Sequence, residues 1–304
     1  MTFQPKLKQF EAMRRNGRIV NAMSVDVEDY FQVQALESAF DRRNWDDYPS
    51  RVERNTNEIL DLFGAANVKA TFFTLGWVAE RWPGLVRRMV EEGHEVASHG
   101  YAHFRADSQT PAEFAADVRK TKDILEQTSG QRVIGYRAAS FSIGLSNLWA
   151  FSVLAEAGYL YSSSVNPIVH DNYGIPDAPR FPFFPEGGLQ LEEYPVSTLD
   201  LLGHHLPCGG GGYFRLFPYI YSHYAVRRIN EQEARPSIFY FHPWEIDPDQ
   251  PVVHDVPLKS RLRHYTNLSR MAPKLARLLD AFEWGRVDEV FFGSRAPSLA
   301  ERVA

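Results

Sequence analysis

Two histidines four residues apart, in Ser98-His99-Gly100-Tyr101-Ala102-His103, have the spacing that puts both on one face of a helical turn, near enough to share a metal ion. In a chain with ten histidines the spacing alone decides little, and a surface or capping pair is the plainer reading. A second cluster changes its weight. An apolar run, Ile19-Val20-Asn21-Ala22-Met23, leads to three acids, Asp26, Glu28 and Asp29. Carboxylates this close lose water and repel one another if buried, so a cation beside them would offset the cost. One acid with two imidazoles makes a two-histidine, one-carboxylate site that leaves room for water. Glu28 is two residues on from Asp26 and shares its side of an extended chain. If the chain turns after Val27, Asp29 is the better placed ligand. Arg137, closing Gly135-Tyr136-Arg137, could grip a carboxylate bidentately. His242, in Phe239-Tyr240-Phe241-His242-Pro243-Trp244-Glu245, is either a satisfied core histidine or a general acid whose charge changes near neutral pH.

These groups need elements that bring them to one place. Strand-like stretches at residues 19–26, 68–75, 94–98, 132–137, 159–165, 189–199 and 237–242 alternate with helix-like ones at 51–64, 83–92, 110–128, 146–158, 217–234 and 271–282. Thr110-Pro111-Ala112-Glu113 is a capping box with proline at the first helical position. Strand–helix units of this length predict an α/β fold with a parallel sheet or a βα barrel. Residues 166–188 break the rhythm; they are rich in proline, glycine and aromatics and predict a long ordered surface loop. A glycine run occupies 209–212. The candidate groups all fall at strand ends, where barrel enzymes carry their catalytic residues, and a single metal-hydrolase site explains them better than four accidents.

The chain has 304 residues, enough for one large α/β domain or two modest ones, and no domain boundary stands out. A net charge of -5 argues against non-specific nucleic-acid binding. The single cysteine, Cys208, excludes an intrachain disulfide and a zinc–thiolate cluster. No stretch of about 18 apolar residues predicts a membrane span. The charged N-terminus lacks an apolar signal-peptide core, so a cytoplasmic location is expected. Oligomeric state is not readable.

Together, SVDVED, SHGYAH, GYRA and FYFHPWE, in this order, resemble the motifs of the polysaccharide deacetylases of the NodB-homology type, carbohydrate esterase family four. The resemblance runs over residues 19–245. Residues 247–267 further resemble the tail of a bacterial exopolysaccharide-locus subgroup. It implies a distorted (β/α) barrel spanning 1–304 as one deacetylase domain, with 246–304 as a subgroup-specific extension. It implies hydrolysis of N-acetyl groups on an N-acetylhexosamine polysaccharide or its precursor. Asp26 would be the base, Arg137 its anchor and His242 the acid. His99, His103 and one of Glu28 and Asp29 would bind one divalent metal, zinc first, with cobalt, nickel or manganese also suited. Tyr101, Phe141 and Trp244 are expected at the substrate, with Trp77 and the loop near Phe183 as further stacking candidates. The sequence departs from the family pattern at Ala139, where proline is usual, and at Tyr161-Ser162-Ser163-Ser164, which lacks the acid that supports the histidine; Asp171 is the candidate substitute. The competing readings are a related C–N hydrolase acting on a small cyclic amide or a lipid-linked sugar, and a carbohydrate-binding protein without catalysis.

Overall fold

A computed structural model describes residues 3–185 and 189–293. The last three residues of the expected 166–188 loop, and 294–304 of the expected extension, lie outside the described residues.

The sheet runs in the order Lys6–Leu7, Phe183–Phe184, Glu192–Glu193, Tyr161–Ser162, Gly135–Tyr136, Glu95–Ser98, Thr71–Thr74, Arg18–Val27, Ile238–Phe241. From Glu192–Glu193 onward every pairing along this path is parallel. Arg18–Val27 is its longest strand and is buried from Ile19 onward, as a strand covered on both faces must be. Its side chains divide between two cores. Val20 and Ala22 pack with Phe73, Ala97, Tyr161 and Tyr194 on one face. Met23, Val25 and Val27 join the larger core under the helices on the other. The alternation puts Ser24 and Asp26 on the first of these faces.

Register then gathers the strand ends. Val27 pairs with Thr74, Thr74 with Ser98, Ser98 with Tyr136, and Tyr136 with Ser162, while Phe241 pairs with Val25. Hence Asp26, Glu28, His99, Arg137, Ser163 and His242 follow one another along a single edge. Beyond Ile238–Phe241, Tyr240 N–H donates to Gly209 O (2.8 Å) and Gly209 N–H donates to Ser197 O (3.1 Å). Gly209 permits this approach, because a Cβ there would lie 2.6 Å from Ile238 O.

The helices expected at 51–64, 83–92, 110–128, 217–234 and 271–282 appear as Val52–Ala65, Pro83–Glu91, Pro111–Ser129, Tyr219–Glu231 and Met271–Ala281, and both halves of the Thr110–Glu113 capping box form. The helix expected from 146 begins later, at Trp149–Glu156. Several strands are shorter than expected. Residues 132–137 form a strand only at Gly135–Tyr136, and 159–165 only at Tyr161–Ser162, although Arg137 and Ser163 N–H still donate to Ser98 and Tyr136 O and the chain stays buried on either side. Residues 189–199 split into Glu192–Glu193 and part of a hairpin, Thr198–Leu201 with His204–Pro207. The helices Gly211–Leu216 and Leu258–Tyr265 and the strand Glu283–Gly285 were not expected. Among the described residues no helix is long and apolar enough to cross a membrane.

Candidate active site

Asp26 is 1% exposed and accepts a hydrogen bond from Arg137 Nη1 at 2.6 Å. The grip is single, not bidentate as expected. The rest of the fully buried guanidinium is spent on its own fixation: Nη1 also donates to Ser24 Oγ (2.9 Å), Nε to Ser163 O (3.0 Å) and Nη2 to Ser163 Oγ (2.9 Å). Its face lies 4.0 Å from the Phe73 ring centroid. Serines 163 and 164, which stand where an acid was expected, thus hold Arg137 and, through Ser164 Oγ, the N–H of Ala138.

Glu28, His99 and His103 converge. One ligand-capable atom from each lies within 4.8 Å of the others, and all three residues are buried. The histidine pair is not on a helical turn as its spacing suggested. It sits on an irregular loop with Gly100 at φ 77° and His103 at φ 52°. Gly76 and Trp77 N–H donate to the carbonyls of Gly100 and Tyr101, and Arg42 donates to those of Ala102 and His103, so the loop is pinned from both sides. His99 Nδ1 is 2.9 Å from the Arg137 carbonyl, which leaves Nε2 as the free ring nitrogen. Burial holds the His99 pKa down, to about 4, despite Asp26 and Glu28 nearby. Burial alone would raise the Glu28 carboxyl, but His103 and His242 outweigh it and hold it at about 2. Glu28 Oε2 is 2.8 Å from His103 Nε2 yet no hydrogen bond of sound geometry reaches this buried oxygen. An ionised carboxylate oxygen without a donor, facing the imidazoles of His99 and His103, fits a divalent cation.

Asp29 is used otherwise. Its Oδ1 accepts from Tyr30 N–H, and its Oδ2 accepts from Ser50 Oγ and from the N–H groups of Arg51 and Val52. It therefore caps the start of Val52–Ala65 from outside the helix. Burial pushes its carboxyl up.

His242 Nε2 faces the acids, 3.5 Å from Glu28 Oε1 and 3.9 Å from Asp26 Oδ2. Its Nδ1 meets Glu245 Oε1 at 2.8 Å. Glu245 Oε2 accepts from Arg215 Nε at 2.7 Å, and Arg215 donates further to the carbonyls of Arg263, His264 and Thr266. Burial disfavours charge on His242, but Glu28 and Glu245 outweigh it and raise its pKa to about 9. Asp171 is not the partner of His242; it pairs with Lys259 and Arg263. Sequence reasoning passed over Glu245, although a turn after Pro243 brings a residue three positions on back to its histidine. Arg215 carried no signal beyond following the glycine run.

The expected stacking residues separate. Trp244 is buried, layered between His242 and His264, with Nε1 3.4 Å from Glu28 Oε1. Phe141 is buried against Tyr240, 4.8 Å between centroids. Tyr101 bonds to Glu80, and Lys120 Nζ covers its ring at 3.2 Å, so that face is taken. Trp77 and Phe183 are core residues. The open space beside His242 is a pocket of about 370 Å³ bordered by Tyr173, Tyr213, Tyr240, Trp244 and Arg263.

The arrangement of strands and helices is that of an α/β protein similar in fold to a crystal structure of a protein provisionally assigned as a polysaccharide deacetylase from Mycobacterium smegmatis, with a TM-score of 0.57, 17% identity and 98% of each chain covered. Residues 43–161 match the family model for polysaccharide deacetylase, and residues 163–292 match that for a domain of unknown function, DUF3473. Residues 43–161 are thus similar to the polysaccharide deacetylases, and neither match reaches half of the chain. It is 40% identical over 75 residues to a peptidoglycan-N-acetylglucosamine deacetylase of Bacillus cereus, covering 25% of this chain and 27% of that one. It is 42% identical over 85 residues to the peptidoglycan-N-acetylglucosamine deacetylase PgdA of Listeria monocytogenes, covering 28% and 18%. The chain thus spans less than a third of either relative. The deacetylase match contains His99, His103 and Arg137; Asp26 and Glu28 precede it, and Arg215, His242 and Glu245 fall in the second match.

Proposed function

We propose that this chain is a metal-dependent hydrolase that removes N-acetyl groups from an N-acetylhexosamine-containing polysaccharide or its precursor, within exopolysaccharide biosynthesis. We further propose that the two matched segments form one domain and that the sheet is the wall of a distorted (β/α) barrel. The observation that carries the functional reading is the convergence of Glu28, His99 and His103 between a carboxylate held by arginine and a histidine held by glutamate.

In this reading Glu28, His99 and His103 hold a divalent ion, zinc first by ligand type. Bound there, such an ion supplies a lowered water pKa and polarisation of the acetyl oxygen. Asp26, held and aimed by Arg137, takes the proton of the attacking water. His242, protonated, delivers a proton from Nε2 to the amide nitrogen as the C–N bond breaks, giving acetate and a free amine. Glu245 accepts from Nδ1–H and keeps Nε2 turned toward the acids, and Arg215 balances the charge of Glu245. The best support for the non-catalytic reading was a missing partner for the histidine; Glu245, 2.8 Å from His242 Nδ1, favours the catalytic reading instead. The test is acetate release from a panel of N-acetylated oligosaccharides, before and after chelation, with zinc, cobalt, nickel or manganese restored. Release that stops on chelation and returns with metal is expected. No release with any substrate and metal contradicts the proposal.

A further inference from the structure

We propose that the face formed by the helix Leu258–Tyr265 and residues 216–220 docks on an anionic membrane surface. The first observation is one of charge. Residues 258–279 contain Lys259, Arg261, Arg263, Arg270, Lys274 and Arg277 and no acid, in a chain whose net charge is -5. Asp255 and Asp280 flank the run, and Asp171 pairs with Lys259 and Arg263, so the cations outnumber the acid that meets them.

The second observation is the apolar surface set among these charges. Leu258 and Leu262, one turn apart on the helix, are 65% and 58% exposed. Lys259 and Arg263 stand beside them at the same spacing, with side chains 66% and 42% exposed. The helix thus offers water a stripe of leucine edged by cations. Leu216, Phe217 and Ile220 are also exposed, Ile220 at 70%. Leu216 adjoins the helix, because its neighbour Arg215 is bonded to the carbonyls of Arg263, His264 and Thr266 and Leu216 and Arg263 border the same pocket, while Phe217 lines a second groove with Arg270, Lys274 and Arg277.

Charge and apolarity together identify the occupant. A polyanionic glycan would satisfy the cations and leave the leucines in water. The boundary of an anionic bilayer takes both, headgroups against Lys and Arg and acyl chains against Leu and Phe. The proposed contact is a peripheral one, and among the described residues no helix is long and apolar enough to cross a bilayer. Since Leu216 and Arg263 line both this face and the pocket beside His242, the docked protein opens its pocket toward the lipid surface, where a membrane-anchored glycan would be presented.

The experiment is co-sedimentation of the full chain with vesicles of phosphatidylglycerol and phosphatidylcholine, and of phosphatidylcholine alone, at low and high salt. Binding to the anionic vesicles alone is expected, and it should fall at high salt. It should also fall by at least about tenfold in Leu258→Ser/Leu262→Ser and, separately, in Arg261→Glu/Arg270→Glu. Acetate release from a soluble oligosaccharide should be unchanged in both variants, which separates this inference from the deacetylase reading: vesicle binding without any acetate release refutes only the latter. The docking proposal is overturned if anionic vesicles leave the chain in solution, if binding ignores both sets of substitutions, if a soluble polyanionic glycan binds and vesicles do not, or if Leu258→Ser/Leu262→Ser instead dissolves a dimer of the free protein.

Discussion

Gly211 is where one methyl group would disturb the acid–base machinery without touching a reacting atom. A Cβ there would stand 2.3 Å from Glu245 Oε1 and 2.7 Å from Oε2, more than an ångström inside ordinary van der Waals contact for the nearer atom. Glu245 cannot step aside freely. One oxygen is 2.8 Å from His242 Nδ1, the other 2.7 Å from Arg215 Nε, and Glu245 and Arg215 are fully buried. A displacement of this size breaks at least one charge-assisted bond, worth about 1.5–3 kcal/mol. Gly211→Ala should therefore lower kcat about 100-fold, or ~2.7 kcal/mol in the barrier, because an ångström of misplacement in a proton donor costs that much. KM should change less, since Glu245 acts through His242. Thermal melting should drop by a few degrees. Gly212→Ala is the control: a Cβ there meets nothing within 4 Å, and the helix should keep its stability or gain slightly. Acetate-release kinetics and thermal melts on both variants decide. Wild-type kcat in Gly211→Ala, or equal loss in both variants, would refute the reasoning.

Two further predictions concern buried acids. Glu95 accepts from Tyr161 Oη (2.9 Å), from Thr71 Oγ1 (2.5 Å) and from Asp288 N–H (3.2 Å), while burial and the Asp288 charge raise its pKa from 4.5 to about 8. The native state then holds a proton that the unfolded chain releases, so this group's contribution is fully present below about pH 4.5 and is lost as pH rises toward 8; Glu95→Gln should flatten that slope in melting temperature, and an unchanged slope would sink the assignment. Asp29→Ala strands the donors of Tyr30, Ser50, Arg51 and Val52 and should cost about 3 kcal/mol by denaturant unfolding, with bound metal unchanged; loss of metal from a folded variant would make Asp29 a ligand.

The positions of the site were readable where local chemistry and pairing agree. The apolar run into Asp26 marked the longest strand, and the Thr110 capping box fixed a helix start. What escaped depends on backbone turns that side-chain spacing does not encode. His99 and His103 meet through a loop with positive φ at Gly100 and His103, although a spacing of four suggested a helix. Glu28 and Asp29 could not be separated without knowing that Asp29 lies against the first N–H groups of a helix over twenty residues away. Glu245 was overlooked for Asp171 because the tight turn after Pro243 is a three-dimensional fact, whereas a lone aspartate beside aromatics in a loop looks available. The serine run was taken for a lost acid; it serves Arg137 instead. Aromatic type likewise gave no facing: Phe141 turned inward and Tyr101 toward Lys120.

The most direct measurement is metal content, by elemental analysis, of the chain loaded with zinc and dialysed, compared among wild type, Glu28→Gln and His99→Ala, with folding checked by circular dichroism. One tightly held ion per chain is expected in wild type, with its loss and the loss of acetate release together in both folded variants. Full zinc retention in Glu28→Gln and His99→Ala would contradict the metal centre on which the proposed function stands.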